Sequence, residues 1–374
     1  MKIGSALLLV VLCLHSIDAF LRVQDKKLFY NNDQVFLSGA NIAWFNFARD
    51  FGSGAYDYVK PRFEQAIDEI SNAGGNVIRV WVHIDGQWSP KWDANGFATG
   101  EDTPSLINEL GQLLDHAAQR NVFVIFTLWD LNVTPRQMLH LYSQPDRLQS
   151  YLDKVLKPLV AALKDKPALA AWEVVNEPLA SITETQRDIN PCFDTTHLKY
   201  SGAGWSGAHL LLKDILRFIN WHADAIKFVD PKALCTIGGA GEWLTTNVSP
   251  VTRDHYTDAC LIAAGGRQLG TLDMVMVHTY TFQGRFVSDT CPFKKRFLDY
   301  HTTKPMVIEE FSTACNECHD AVANYRYLYD SGYSGALAFQ YNGPGQCVDD
   351  HPVMFAGMSA IRNLNYNGRI DIRL

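Results

Sequence analysis

Eight short apolar runs recur along this chain, separated by loops and by stretches with helical spacing. The runs are Val35–Ala40, Asn76–Val82, Val122–Leu128, Leu169–Asn176, Ala233–Gly238, Asp273–His278, Met306–Glu310 and Ala336–Gln340. Val122–Leu128 is continuously apolar, the pattern of a parallel strand covered on both faces. Helical spacing is clearest from Thr103 to Arg120, where Leu106, Ile107, Leu110, Leu113, Leu114, Ala117 and Ala118 share one face. A helix over Pro61–Ala73 is expected to open at its proline and close at Gly74-Gly75. Further helices are expected over Leu148–Leu163, Ser206–Val229, Asp254–Ala264, Pro292–His301, Asn316–Tyr329 and Asp350–Arg362. Eight strand–helix units in unbroken series predict an α/β fold, a single (β/α)8 TIM barrel over residues 20–374. A short β-hairpin around Asn31-Asn32 should precede it. A doubly wound open sheet would alternate in the same way, but no glycine-rich phosphate turn follows the first strand.

With 47% hydrophobic and 20% charged residues, the composition is that of a soluble globular protein. The net charge is −7 without a basic cluster, which argues against nucleic acid or an anionic membrane as partner. Residues 1–19 read as a secretion signal: Lys2, the apolar stretch Ala6–Leu14, then Ser16 to Ala19 with cleavage before Phe20. The stretch is too short to span a bilayer, and no second long apolar run follows, so a released, extracellular monomer is expected. Cys13 leaves with the signal. The remaining cysteines then read as disulfides with one thiol left over. Cys235, inside the apolar run Ala233–Ile237, is the expected free one. Cys192, Cys260, Cys291, Cys315, Cys318 and Cys347 remain for up to three bridges, with the pairing open. Cys315 and Cys318 have a metal-like spacing, but no second matching pair exists and no metal site is expected. Asn132-Val-Thr134 and Asn247-Val-Ser249 are glycosylation sequons, each weakened by the proline that follows.

In a barrel of this kind the chemistry sits at the carboxyl ends of the strands. The fourth run ends in Asn176-Glu177, and Pro178 stops the strand. The seventh ends in Glu309-Glu310. The other ends supply Arg79, Trp81 and His83; Trp129 and Asp130; Glu242 and Trp243; His278 and Tyr280; and Phe339, Gln340 and Tyr341. Acids, an arginine, histidines and a rim of aromatics suit a sugar, whose ring faces stack on aromatics while its hydroxyls meet polar groups. Two glutamates on opposite sides of a glycosidic bond can cleave it, one protonating the leaving oxygen and the other attacking the anomeric carbon. Adjacent strand residues point to opposite faces, so only one of Glu309 and Glu310 is expected to face the site. Glu173 lies deeper than Glu177 and reads as a buried, paired structural acid. Arg79 is expected to hold the attacking glutamate ionised, Tyr280 to hydrogen-bond it and His278 to orient the acid. The alternatives are that Arg79 only pairs with Glu173 and that His278 is a core histidine. Trp172 reads as core, and His83 and His301 as ordinary positions. Trp205 and Trp243 either line subsites or pack.

Asn176-Glu177-Pro178, together with Ile308-Glu309-Glu310-Phe311, resembles glycoside hydrolase family five. Gly75-Asn76-Val77-Ile78-Arg79 resembles that family's arginine strand, and His278-Thr279-Tyr280 its histidine–tyrosine pair. The set keeps the family's order from about residue 35 to 345. The longer Trp172-Glu173-Val174-Val175-Asn176-Glu177-Pro178, in a cysteine-containing chain with a signal, is most similar to the family's animal endo-β-1,4-mannanases, such as those of molluscs. The resemblance implies endo-acting, retaining hydrolysis of β-1,4-mannosidic linkages in mannan, glucomannan and galactomannan, without metal or cofactor. It implies Glu177 as acid/base and Glu310 as nucleophile. Arg79, Trp81, Trp129, Asn176, Trp243, His278, Tyr280 and Phe339 would bind the β-mannan or its manno-oligosaccharides, Asn176 through the 2-hydroxyl. The chain departs from the family pattern in two places. The third strand ends in Leu128-Trp129-Asp130 where histidine or asparagine is usual, and the eighth has Phe339 and Tyr341 where a tryptophan under the sugar is usual. A cellulase-like endoglucanase, an inactive polysaccharide-binding barrel and a metal-dependent barrel hydrolase are the competing readings.

Overall fold

A three-stranded antiparallel ribbon opens the computed structural model, which describes residues 20–132, 137–280, 292–315, 320–343 and 347–374. Its strands are β1 (Leu21–Gln24), β2 (Lys27–Tyr30) and β3 (Asp33–Val35). The expected hairpin at Asn31 is the second turn of this ribbon. The first turn went unnoticed because Asp25 and Lys26 make it with positive φ, without the Asn-Gly chemistry that usually marks such turns.

Eight parallel strands then close into a barrel: β4 (Leu37–Asn41), β5 (Val77–Ile84), β6 (Phe123–Asp130), β7 (Leu169–Asn176), β8 (Cys235–Gly239), β9 (Val275–Thr279), β10 (Met306–Phe311) and β11 (Gly335–Ala338). β10 pairs with β11 and β11 with β4, so the sheet has no edge. These are the eight apolar runs of the sequence.

The helices differ more from expectation. Tyr56–Asn72 begins ahead of Pro61, which lies exposed inside the helix. The helix expected from Ser206 begins at Leu212. Over Pro292–His301 only two 3₁₀ turns form, Pro292–Lys294 and Phe297–Tyr300. Lys294, Lys295 and Arg296 would fill the first turn of a helix there, where the macrodipole disfavours cations. Thr103–Gln119 buries Leu106, Leu110, Leu113, Leu114 and Ala117, the face its spacing defined. No helix among the described residues is long and apolar enough to cross a membrane.

Two apolar layers frame the barrel. Outside it, the helices pack on the outward faces of the strands, around Val80, Phe126, Trp172 and Val174. Inside, Leu37, Val77, Phe123, Ile125, Ala171, Met276, Val307 and Leu337 pack with Leu21, Leu28, Tyr30 and Val35 of the ribbon. The ribbon thus plugs the amino-terminal end. The polar residues are left to the other end, above this plug.

Strict in–out alternation fails near that upper end. The ladder register shifts by one residue between Trp81 and Ile84, between Glu173 and Asn176, and between Ile308 and Glu310. Such irregularities re-aim side chains, and their consequences appear at the site.

Cysteine chemistry partly matches expectation. Cys192 and Cys260 form a disulfide, Cys347 is also disulfide-bonded, and Cys235 is free and buried. Cys291 and Cys318 lie outside the described residues, as do residues 1–19 and Val133-Thr134 of the first sequon.

Close approach fixes one position outright. A Cβ on Gly39 would stand 1.8 Å from the backbone oxygen of Val77 on the neighbouring strand. Gly39→Ala is expected to cost about 3 kcal/mol or more by overpacking, read as a lowered midpoint in thermal or urea unfolding.

Candidate active site

Arg79 stands at the centre of the polar layer, fully buried. Its guanidinium donates from Nε and Nη2 to the two oxygens of Glu173, at 2.6 and 2.5 Å. Nη1 donates to Asn41 Oδ1 at 3.0 Å and to Glu310 Oε1 at 2.5 Å. Nη2 also reaches Asn176 Oδ1 at 2.7 Å, and Nε lies 3.3 Å from Glu309 Oε2. The ring of Trp81 covers the guanidinium at 4.0 Å. Strand register brings several of these groups together. Asn41 and Arg79 are partners across β4–β5, Asp130 and Asn176 across β6–β7, and His278 and Glu310 across β9–β10. Gly238 on β8 leaves the room, since a Cβ there would sit 2.7 Å from both Arg79 Nη2 and Glu173 Oε1.

Glu177 follows β7 in the left-handed region, with φ of 44°, and its amide donates to the Gly238 carbonyl at 2.8 Å. This backbone turn points its carboxyl into the barrel mouth. His278 bridges the acids. Its Nδ1 is 2.8 Å from Glu177 Oε1, and its Nε2 is 3.1 Å from Glu309 Oε1 and 3.5 Å from Glu310 Oε1. The Tyr280 hydroxyl donates to Glu310 Oε2 at 2.8 Å. Asp130 accepts from the Asn132 amide at 2.7 Å, from Asn176 Nδ2 at 3.2 Å and from Trp81 Nε1 at 3.0 Å.

Burial dominates the electrostatics. It pushes the Glu177 carboxyl up to about 7, helped by Glu173 and opposed by Arg79. It raises Glu310 as well, but His278, Arg79 and the Tyr280 hydroxyl pull that group back down. Asp130 rises to about 6 through burial and the charge of Glu177. His278 falls to about 4, chiefly through burial, and is a neutral imidazole at neutral pH. One oxygen of Glu177, one of Glu310 and a nitrogen of His278 lie within 4.8 Å of one another. The spacing matches a metal triad, but Arg79 already supplies the cation that the acids face.

The architecture and the order of these residues can be set against known proteins. Residues 37–334 match the family described as Cellulase (glycosyl hydrolase family 5). The chain belongs to glycosyl hydrolase family 5. A mannan endo-1,4-β-mannosidase of Cryptopygus antarcticus is 39% identical over 368 residues, covering 97% of this chain and 96% of that one. A mannan endo-1,4-β-mannosidase of Mytilus edulis is 43% identical over 324 residues, covering 85% and 87%. The X-ray structure of β-mannanase from the blue mussel Mytilus edulis superposes with a TM-score of 0.90 at 38% identity, covering 96% of this chain and all of that one, 100%.

Within this family 5 barrel, Arg79, Trp81, Asn176, Glu177, His278, Tyr280 and Glu310 come together. Phe339 reaches the rim, with its ring centroid 6.3 Å from that of Tyr280. Trp129 does not join them. It is fully buried, packs between His83 and Tyr151, and donates its indole N–H to His222 Nε2 at 3.1 Å. The register shift between Trp81 and Ile84 accompanies this: His83 and Trp129 face the helix layer, and Asp130 takes the inward place. Trp243 is half-buried and packs against the outer core. Tyr341 turns away to stack on His351, with its hydroxyl on Glu69.

Two features were missed. Glu309 and Glu310 both meet inward-facing partners, because the irregularity between Ile308 and Glu310 breaks the alternation. Trp44 also joins Trp81 and Phe47, at 6.0 and 4.9 Å between centroids. The aromatic run Trp44-Phe45-Asn46-Phe47, directly after the first strand, was its available signal. Trp205 is 40% exposed and donates to Asn132 Oδ1 at 2.6 Å. Its neighbours Gly204 and Ser206 bond to Leu179 and Ala180, just beyond Glu177.

Arg79→Leu should cost about 3–5 kcal/mol at pH 7, because buried carboxylates lose their cation. The loss should shrink towards about pH 4, as Glu310, raised by burial, takes up a proton. Urea unfolding at both pH values checks this.

Proposed function

We propose that the chain is a secreted, metal-independent endo-β-1,4-mannanase that cleaves mannan, glucomannan and galactomannan with retention of configuration, through a glycosyl-enzyme intermediate. The observation that carries the chemistry is the short gap between Glu177 and Glu310, whose facing oxygens lie within 4.8 Å. Retaining glycosidases hold their carboxyls about 5–5.5 Å apart, whereas inverting ones need about 6.5–9.5 Å for an intervening water. The two environments differ in the direction the roles require. Glu177, pushed up to about 7, holds its proton as the general acid. Glu310 accepts from Arg79 and Tyr280, donors that favour its anion as nucleophile. Asn176 is held through its Oδ1 by Arg79 and through one N–H by Asp130, leaving its second N–H for the sugar's 2-hydroxyl. Trp81, Tyr280 and Phe339 line the binding cleft.

Mannan as substrate is supported by the two relatives described as mannan endo-1,4-β-mannosidases, which this chain matches over most of its length. Secretion is supported by the signal-like residues 1–19 and by the Cys192–Cys260 disulfide.

A mechanism-based fluorosugar should label Glu310, as located by mass spectrometry; a label on another residue overturns the assignment. Glucomannan and galactomannan should both be hydrolysed, whereas turnover of carboxymethylcellulose alone would replace the mannanase by an endoglucanase. Glu310→Ala should lower turnover of every substrate by roughly 10⁴-fold or more. Glu177→Ala should spare aryl glycosides whose leaving group needs no proton. The rate constant kcat/KM should follow a bell. Its alkaline limb falls near about 7 as Glu177 loses its proton, and its acid limb lies above the ordinary carboxylate range as Glu310 gains one. A flat profile between about pH 4 and about pH 9 contradicts these roles.

A further inference from the structure

Three carboxyls crowd one guanidinium inside the barrel. Glu173, Glu309 and Glu310 each place an oxygen within 3.3 Å of an Arg79 nitrogen, and none of their side chains is more than 5% exposed. One cation cannot neutralise three anions, and an uncompensated buried charge is very costly. The contacts identify which carboxyl gives way. Glu173 receives two guanidinium bonds, and Glu310 receives one together with the Tyr280 hydroxyl. Glu309 has a single 3.3 Å approach of Nε to its Oε2 and a side-chain hydrogen bond shared with Glu173, while its Oε1 lies 3.1 Å from His278 Nε2.

We propose that Glu309 is a permanently protonated positioning residue, whose Oε1–H donates to His278 Nε2 and so fixes the imidazole in the tautomer that presents Nδ1–H to Glu177 Oε1. The inference rests on Glu177 acting as the acid/base. The proton belongs on Oε1 because Oε2 faces the positive guanidinium. The charged and titratable groups around Glu309 are Arg79 from β5, Glu173 from β7, His278 from β9 and its neighbour Glu310. From β4, Asn41 reaches only its backbone carbonyl, at 2.7 Å. Burial, the charges of Glu173 and Glu310 and a hydrogen bond shared with Glu173 hold the Glu309 carboxyl well above its ordinary value, against the pull of Arg79.

The arrangement serves both halves of the reaction. The proton that Glu177 exchanges rides on Oε2, while Oε1 keeps the same Nδ1–H donor throughout. When Oε2–H protonates the leaving oxygen, the glycosidic C–O bond breaks and Glu310 bonds to the anomeric carbon. The charge left on Glu177 meets a donor already in place. In the second half, water attacks the anomeric carbon, the bond to Glu310 breaks, and the water's proton returns to Oε2. The Glu309 proton does not move. In the other tautomer an Nδ1 lone pair would face the new carboxylate and oppose release of the proton.

The test is ¹⁵N NMR of the full chain labelled at histidine, at about pH 6, where a neutral imidazole shows its tautomer directly. The His278 signals are assigned by their loss in His278→Gln. A protonated Nδ1 and an unprotonated Nε2 are expected in the wild type and in Glu309→Gln, whose amide N–H replaces the donor. A protonated Nε2 in the wild type overturns the proposal. In kinetics, Glu309→Gln should keep kcat within about threefold, while Glu309→Leu should lower it roughly tenfold or more, with KM unchanged and the alkaline limb of kcat/KM displaced. Equal losses in the two variants, or an unmoved profile in Glu309→Leu, would reduce Glu309 to packing and sink the proposal. The tautomer is read without turnover. A wild type that cleaves no β-glycan would therefore remove the functional reading while the tautomer assignment is judged separately.

Discussion

A single buried arginine makes the upper half of this barrel possible. Without Arg79, the inward-facing acids of β7 and β10 would be negative charges in a site from which water is largely excluded, and the fold would have to protonate or expel them. With it, Glu173 and Glu310 are tied to one planar donor, and Asn41 and Asn176 are oriented by the same group. The fork geometry of guanidinium matters here, because an ammonium could not serve several strands from one fixed plane. Trp81 closes one face of that plane and keeps it in place.

The lower half of the barrel imposes the complementary constraint. Leu37, Val77, Ile125, Met276 and Val307 fill its interior with aliphatic side chains, and the ribbon residues Leu28 and Tyr30 seal it from below. Polar groups cannot sink into that layer without losing their partners. The acids are therefore confined to one level, where the strand ends meet the loops. The same confinement raises Glu177 to about 7. The energy that holds the barrel together and the electrostatics that suit acid chemistry share one source, removal from water.

Much of this was legible from residue order, for a physical reason. Strands covered on both faces must be apolar, and eight such runs alternating with helical spacing leave few folds open. Glu177, Arg79, His278, Tyr280 and Glu310 could be found because strand ends are where a barrel exposes backbone-anchored side chains to its mouth. Trp129, Glu309 and Trp44 were not read correctly. For the first two the reason is the same. Counting by twos along a strand assumes an unbroken ladder, and the ladder slips beside Trp81 and beside Ile308. A slip of one residue sends a tryptophan to the helices and brings a second glutamate inward. Nothing in the local sequence marks these slips, since they are settled by pairing between strands far apart in the chain.

The position of several slips bears directly on the site. Three of them fall in the upper half of their strands, next to Trp81, Asn176 and Glu310, while another lies low in β6, between Val124 and Ile125, and the lower parts of β9 and β10 pair without interruption from Met306 to Ile308. Regular alternation gives each strand one inward side chain every two residues, spaced too far apart along the strand to crowd one guanidinium. Adding a residue lets consecutive positions converge, as Glu309 and Glu310 do on Arg79. At these three places the barrel gives up regular pairing where charge is dense. That density forces at least one of the carboxyls around Arg79 to keep its proton. A site assembled this way has its protonation pattern dictated by crowding, before any substrate enters.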